Sequence, residues 1–267
     1  SARLFATSVG GIGTFTVSPA VAIVGCACLA PASLRLETSP LPVSGQLAYH
    51  CYSSYLAEPL DADDGHIFLL MLPEGIRSNL TAGLPVENAM NPRFSPDGTK
   101  IAFMAIPRGV ARPGSARTYG ARGRFLEIFV LDLPTGALAR LTHNAVPDED
   151  PSFSPDGRRI IFKRAAQIWE MMADGARPRR LTVSGQEKSG PRYSPDGSYV
   201  TYWEQAGPLA DIWRSPLSGA RASMVIGAVG VSEYYPLYRD ADTLLYVRWA
   251  SASDRHDKIY AHSLSTN

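Results

Sequence analysis

The 267 residues predict an all-β fold: a single β-propeller of four-stranded antiparallel blades, five of them with six as the alternative, closed by an N-terminal strand. Three observations predict it. First, three segments align without gaps: NPRFSPDGTKIAFMA from Asn91, DPSFSPDGRRIIFKR from Asp150 and GPRYSPDGSYVTYWE from Gly190, with a weaker fourth, YPLYRDADTLLYVRW, from Tyr235. Second, each is followed by a short apolar element: EIFVLDL from Glu127, QIWEMMA from Gln167, DIWRSPL from Asp211 and KIYAHSL from Lys258. Third, 23 glycines and 21 prolines call for many turns and disfavour long helices.

Each repeat can be justified strand by strand. Strand a starts beside a proline and ends at an aromatic residue. Ser-Pro-Asp-Gly then reverses the chain, because proline presets φ and Asp-Gly suits turn positions that need positive φ. Strand b is the alternating run that follows, as in IAF, IIF and VTY. Strand c is the Ile-aromatic element. Pairs such as Thr135-Gly136 and Asp174-Gly175 turn c into d, and d leads to Arg140-Leu141-Thr142 or Arg180-Leu181-Thr182, with Asn79-Leu80-Thr81 as an earlier copy. The first unit begins with Gln46-LAYHCYS and His66-IFLLML. Ser154 to Ser194 spans 40 residues, Ser95 to Ser154 spans 59, and Tyr193 to Tyr238 spans 45. The second unit therefore carries about 19 extra residues between b and c. One such sheet cannot bury both its faces, so the sheets must stack radially.

Residues 45–267 are assigned to the propeller and 1–44 to a separate N-terminal segment. Short strands are expected at 14–19, 20–27 and 33–37. The first or second of these would complete the last blade, which lacks strand d. Alternatively, residues 10–44 form a sixth, degenerate blade, because Phe15-Thr-Val-Ser-Pro19 mimics strand a. Ile23-Val24-Gly25-Cys26 also reads as a lipoprotein signal, which would put a lipid anchor on Cys26. Three cysteines (Cys26, Cys28 and Cys51) make no disulfide framework. No run reaches the roughly 18 apolar residues of a spanning helix, so no transmembrane span is expected. Lys+Arg (26) and Asp+Glu (25) nearly cancel, giving a formal charge of +1, so nucleic acid is not an expected partner.

The pattern P-x-[FY]-S-P-D-G-x-x-[IV]-x-[FY], then I-[YFW]-x-x-x-L and R-L-T, resembles the TolB-like or PD40 (WD40-like) propeller repeat over about residues 45–267. That family includes TolB-type periplasmic scaffolds, propeller domains of prolyl-oligopeptidase-like peptidases, and oligosaccharide-degrading lyases and hydrolases. The resemblance implies a periplasmic or secreted protein. This sequence departs from the family in three ways. Residues 1–44 are too short for the α/β domain of TolB. No Gly-x-Ser-x-Gly nucleophile elbow occurs. The turns lack the Trp of a sialidase Asp-box.

Fold alone does not give function, and the irregular d–a and b–c loops at one end of the propeller are where a site belongs. The d–a loops bring Glu87, Asn91, Asp148, Glu149, Asp150, Glu187 and Glu233. These either converge to bind a divalent cation or form an acid/base pair for glycoside chemistry, or they are solvated loop residues and caps. No metal-ligand spacing occurs, so no metal centre is assigned. The b–c insertion at 107–124 carries Arg108, Arg112, Arg117, Arg122 and Arg124 with Tyr119 and no acid, which suits an anionic partner or a solvated loop. The last b–c loop offers Trp249 as a stacking platform, with Arg255 and His256. Two functions fit. One is an extracytoplasmic binding or scaffold propeller that engages a protein partner or acidic glycan at the channel mouth. The other is a polysaccharide lyase or glycoside hydrolase on a uronate-containing glycan, with His256, Tyr234, Lys188 and Glu233 as candidate catalytic groups.

Overall fold

The computed structural model describes residues 14–18, 21–24, 45–52, 65–72, 74–109, 125–183, 185–249 and 258–265. The strands form five antiparallel sheets, the blades of a five-bladed β-propeller. Blade 1 contains β1 (Thr14–Ser18), β2 (Val21–Val24), β3 (Gly45–Tyr52), β4 (Gly65–Leu72) and β5 (Ile76–Asn79), ordered β2-β1-β3-β4-β5. Blade 2 is β6 (Val86–Phe94), β7 (Lys100–Pro107), β8 (Glu127–Asp132) and β9 (Leu138–Arg140). Blade 3 is β10 (Asp148–Phe153), β11 (Arg159–Arg164), β12 (Gln167–Met172) and β13 (Arg179–Arg180). Blade 4 is β14 (Lys188–Tyr193), β15 (Tyr199–Ala206), β16 (Leu209–Pro216) and β17 (Ser223–Ile226). Blade 5 is β18 (Ser232–Tyr238), β19 (Thr243–Trp249) and β20 (Lys258–Ser263).

The repeat thus lies where the sequence placed it, but the N-terminal closure changes place. Strand β1 pairs with β3 (Thr16↔Ala48, Val17↔Leu47, Ser18↔Gln46) and completes the first blade, with β2 outside it. The first repeat begins at strand b and leaves its inner edge open, and β1 satisfies that edge. Strands β1 and β2 therefore build no sixth blade and add no strand to the last one, and the rest of residues 10–44 lies outside the described residues. Among the described residues, blade 5 keeps three strands. Cys26 and its lipobox reading lie outside the described residues, as does the insertion at 110–124. No helix among the described residues is long and apolar enough to cross a membrane.

The core is a series of layers between blades. Ile67 and Ala48 of blade 1 meet Phe94, Ile101, Phe103 and Phe129 of blade 2. On the opposite face of blade 2, Met90, Met104, Ile128 and Val130 meet Phe153, Ile160 and Phe162 of blade 3. Ile161 and Ile168 pack on Tyr193, Val200 and Tyr202 across the next seam, and Ile212 and Ile226 pack on Tyr246 across the last. Trp169 and Trp213, equivalent strand-c positions, pack against these seams. Strand β7 shows no half-buried alternation: residues 101–106 are all buried, because blade 2 is covered on both faces. Each of its buried Ile, Phe and Met side chains contributes roughly 1.5–3 kcal/mol relative to exposure.

Two side-chain devices recur. In each Ser-Pro-Asp-Gly turn the serine hydroxyl bonds the aspartate and accepts the amide five residues on: Lys100 N–H to Ser95 Oγ at 2.9 Å, Arg159 to Ser154 at 3.0 Å, Tyr199 to Ser194 at 3.0 Å. Glycines 98, 157 and 197 follow at φ 71–72°. Pro96 of one turn lies 3.6 Å from where a Cβ on Gly157 of the next would sit. The second device is the Leu-Thr threonine. Thr81, Thr142 and Thr182 accept the N–H of Ile67, Ile128 and Ile168 at 3.1, 2.9 and 2.9 Å, and so pin strand c to the segment after d. Asn79, in the slot held by arginine in the later repeats, caps the amides of Thr81 and Ala82 at 3.1 and 3.0 Å.

Replacing Ser154 by Ala removes a buried hydroxyl that both donates and accepts. Denaturant titration is expected to show a loss of about 1–2 kcal/mol with an unchanged m-value.

Candidate axial and rim sites

The inner strands break their ladders at one shared position. The register shifts between Met90 and Arg93, Glu149 and Ser152, Ser189 and Arg192, and Tyr234 and Leu237. In each bulge the residue before the proline has positive φ: Asn91 51°, Asp150 54°, Gly190 60° and Tyr235 53°. A bulge leaves one residue unpaired and re-aims its side chain. Here the re-aimed residues meet one another across blades.

The contacts run round the axis in blade order. The Asn91 N–H points at His50 Nδ1 of blade 1, 3.4 Å away. Asn91 Nδ2 donates to Asp150 Oδ1 at 2.5 Å. Asp150 Oδ2 accepts from Ser189 Oγ at 2.6 Å and from the Gly190 N–H at 3.2 Å, both on blade 4. Gly190 in turn sits against Trp203 and Tyr235, with a hypothetical Cβ 3.2 and 3.7 Å from their rings. Arg93 and Arg192, two residues past Asn91 and Gly190, are 7% and 6% exposed. Each guanidinium donates Nη1 to the carbonyl of the proline before it, at 2.8 and 2.6 Å.

Burial sets the titration of this cluster. It pushes His50 down to about 4, helped by the charge of Arg93. It pulls Arg192 down to about 10 against the fields of Asp150 and Tyr235, and lowers Arg93 too. Burial works to raise Asp150. The Ser189 hydrogen bond, the fields of Arg192 and Lys163 and the Gly190 amide outweigh it and hold the carboxyl below its ordinary value.

At the mouth, the acids expected to converge are held within or between neighbouring blades. Asp148 grips Arg164 through two bonds of 2.6 Å and also accepts from Asn144. Lys188 pairs with Glu204 at 2.9 Å and Arg248 with Glu233 at 3.0 Å. These three pairs occupy equivalent ladder positions, Asp148↔Arg164, Lys188↔Glu204 and Glu233↔Arg248, with the charges exchanged in blade 4. Lys163 joins Glu149 (2.9 Å) to Glu187 (2.7 Å) and so crosses from blade 3 to blade 4. Burial raises Glu233 against the pull of Arg248. Glu87 lies opposite Ile106 in blade 2. Among the described residues, no group of three or more His, Cys, Asp or Glu is placed to hold a metal ion.

Of the other expected residues, Arg108 is exposed where the insertion begins. Trp249 is 43% exposed at the end of β19. Tyr234 stands edge-on to Trp203 with centroids 5.2 Å apart. Arg112, Arg117, Tyr119, Arg255 and His256 lie outside the described residues. Sequence reasoning placed Asn91 and Asp150 at the site but missed His50, Arg93, Ser189 and Arg192. The available signal was an arginine two residues after the bulge in PRF and PRY, in a strand otherwise buried.

Two outcomes follow from the axis. His50 binds its proton less readily in the fold than its unperturbed 6.5, so stability is complete above about pH 7 and falls between 6.5 and 4. The full loss is roughly 3 kcal/mol. Urea titrations at pH 7 and pH 4.5 should show a drop that is reduced by about 2 kcal/mol in His50→Gln. Asp150→Ala, which removes the acceptor shared by Asn91, Ser189 and Gly190 and takes a buried anion out of the field of Arg93 and Arg192, should lower stability at pH 7 by about 3–5 kcal/mol.

Comparison with known proteins agrees with this architecture. The family model described as PD40, TolB beta propeller domain, matches residues 61–255. An uncharacterized protein of Agrobacterium fabrum is 34% identical over 99 residues, 35% of this chain and 34% of that one, so the match spans about a third of the curated relative. The putative TolB from Agrobacterium tumefaciens superposes with a TM-score of 0.54 at 21% identity, covering 82% of this chain and 70% of that one. An oligogalacturonate lyase in complex with manganese gives 0.55 at 15% identity, covering 82% and 59%. At these identities the two structures speak for the fold alone.

Proposed function

Because the chain belongs to the PD40, TolB beta propeller domain family, we infer that it is a non-catalytic binding or scaffold propeller that engages a protein partner with the rim of its channel mouth. The observation that carries this reading is the ion pairing at the rim. General acid–base catalysis needs a group free to exchange a proton within reach of substrate. Asp148 is clasped by Arg164, Lys188 by Glu204 and Glu233 by Arg248. The side chains of Asp148 and Glu233 are fully buried, which keeps both from a substrate at the mouth. Trp249, exposed next to Arg248, suits protein recognition: an aromatic anchor that fills a pocket, beside a cation that sets orientation. The rim also offers Arg108 and Glu187, one cation and one acid at its surface. The family resemblance supports a periplasmic or secreted location for such a scaffold.

The reading predicts two results. Trp249→Ala, at an exposed position, should weaken capture of the partner at least tenfold while changing the melting temperature by no more than about 1 °C. Incubation with oligogalacturonate should give no rise in ultraviolet absorbance from unsaturated product. Turnover, with no partner found by immobilised full-length chain, would move the function to the carbohydrate-active class.

A further inference from the structure

We propose that the outer edge of blade 3, at the turn end away from the channel mouth, docks an acidic, extended segment of a protein partner. Arg158, Arg159, Arg177, Arg179 and Arg180 form the surface, which is independent of the rim reading.

The argument begins with a carboxylate that holds two arginines. Glu170 of β12 is buried, and its Oε1 accepts from the Tyr193 hydroxyl at 2.7 Å. Its Oε2 accepts from Arg159 Nη1 at 3.0 Å and from Arg179 Nε at 2.8 Å and Nη2 at 2.6 Å. Guanidiniums from strands b and d therefore meet at one oxygen, while their side chains stay 47% and 55% exposed. Among the described residues, Arg159 keeps Nε and Nη2, and Arg179 keeps Nη1, without an acceptor.

A comparison of blades 2 and 3 supplies the second step. In blade 2, Arg140 of β9 pairs with Glu127 at 2.9 Å. Arg180 holds the equivalent place in blade 3, but Gln167 stands where the glutamate was. Gln167 accepts from the Thr182 hydroxyl and donates to the Gln186 carbonyl. Arg180 thus has no ion pair among the described residues, and neither have Arg158 and Arg177; all three are exposed. The other acids of this region are occupied as turn caps. Asp156 accepts from the Ser154 hydroxyl and the Arg158 N–H, and Asp174 from the Ala176 N–H. A cluster of guanidinium forks with open donors is how arginine recognises carboxylates on an acidic motif.

The edge itself selects the shape of the partner. Strand β13 ends its sheet, so among the described residues no strand lies beside its outer edge. Arg179 and Arg180 are consecutive there, so they flank the edge on opposite faces. A strand laid along that edge alternates in the same way, and neighbouring acids in it would each meet an arginine. None of the exposed large apolar side chains among the described residues falls within 155–180, so the patch has nothing to insert into a bilayer.

The test uses the full chain and a fluorescein-labelled octaglutamate peptide, with a Gly-Ser peptide of equal length as the neutral probe. Anisotropy should rise saturably with octaglutamate alone, and raising the salt from about 50 to about 500 mM should weaken binding at least tenfold. The triple variant Arg158→Gln, Arg177→Gln, Arg180→Gln breaks no ion pair of the described residues. It should bind at least tenfold more weakly, with a melting temperature within about 2 °C of the parent. Arg179→Lys, which keeps the charge and loses the fork, should also bind more weakly. Arg77→Gln, on the edge strand of blade 1, should bind as the parent does. Absence of saturable octaglutamate binding to the parent chain would overturn the proposal, as would undiminished binding by the triple variant or an equal loss in Arg77→Gln. Sedimentation with phosphatidylglycerol vesicles, without binding of the peptide, would overturn it in favour of a lipid surface.

Discussion

A buried carboxylate at a strained backbone position organises the centre of this propeller. Asp150 sits at φ 54° in the bulge of β10 and accepts from blade 2 on one oxygen and from blade 4 on the other. The apolar layers between blades are strong but nondirectional, and alone they would tolerate one sheet sliding on the next. Hydrogen bonds to a fixed carboxylate have direction and length, so they set the height of three neighbouring blades against one another. The positive φ costs on the order of 1–3 kcal/mol, and it persists because packing and hydrogen bonds over-determine it. The two arginines nearby stand at the same repeat position, two residues past Asn91 and Gly190, and both are buried.

The rim obeys a different rule. Three cation–anion pairs stand at one ladder position, and blade 4 reverses their polarity. A directly opposed pair is compatible with one register only, because a slip of one residue turns both side chains to the other face. These pairs thus help specify how strand b returns along strand a. Lys163 adds a link between blades by bridging Glu149 and Glu187. The rim is well defined for reasons of folding, and a partner can read what folding has already fixed.

The repeat, the turns and the blade count were legible because they rest on local chemistry. Ser-Pro-Asp-Gly closes the same hydrogen-bonded turn in three blades, and an Ile-aromatic pair recurs on strand c of every blade. The place of β1 was harder to read, because both the first and last units offered an edge and the choice between them depends on tertiary contacts. The candidate site was half legible. Acids before the strand-a proline were visible, but the sequence does not say that Asp148 points to Arg164 while Asp150, two residues on, points to Ser189. The bulge separates the fates of these two carboxylates, and it is a backbone event with no composition signature. Arg93 and Arg192 were hidden for a related reason: arginine in a strand ordinarily reads as a solvent-facing residue.

The column before the proline holds Asn91, Asp150, Gly190 and Tyr235, four residue types at one backbone conformation. Gly190 contributes its amide, and a Cβ there would press on the Trp203 ring. Uniformity is therefore unavailable to this family member at its centre, however regular its outer turns. An engineer who idealised the chain by copying blade 3 into every position would set a ring of carboxylates facing one another, each deprived of its neutral donor. The resulting repulsion would push the sheets outward from the middle. Consensus redesign can be applied to the turns and seams of this scaffold, while the four axial positions have to be inherited as a set.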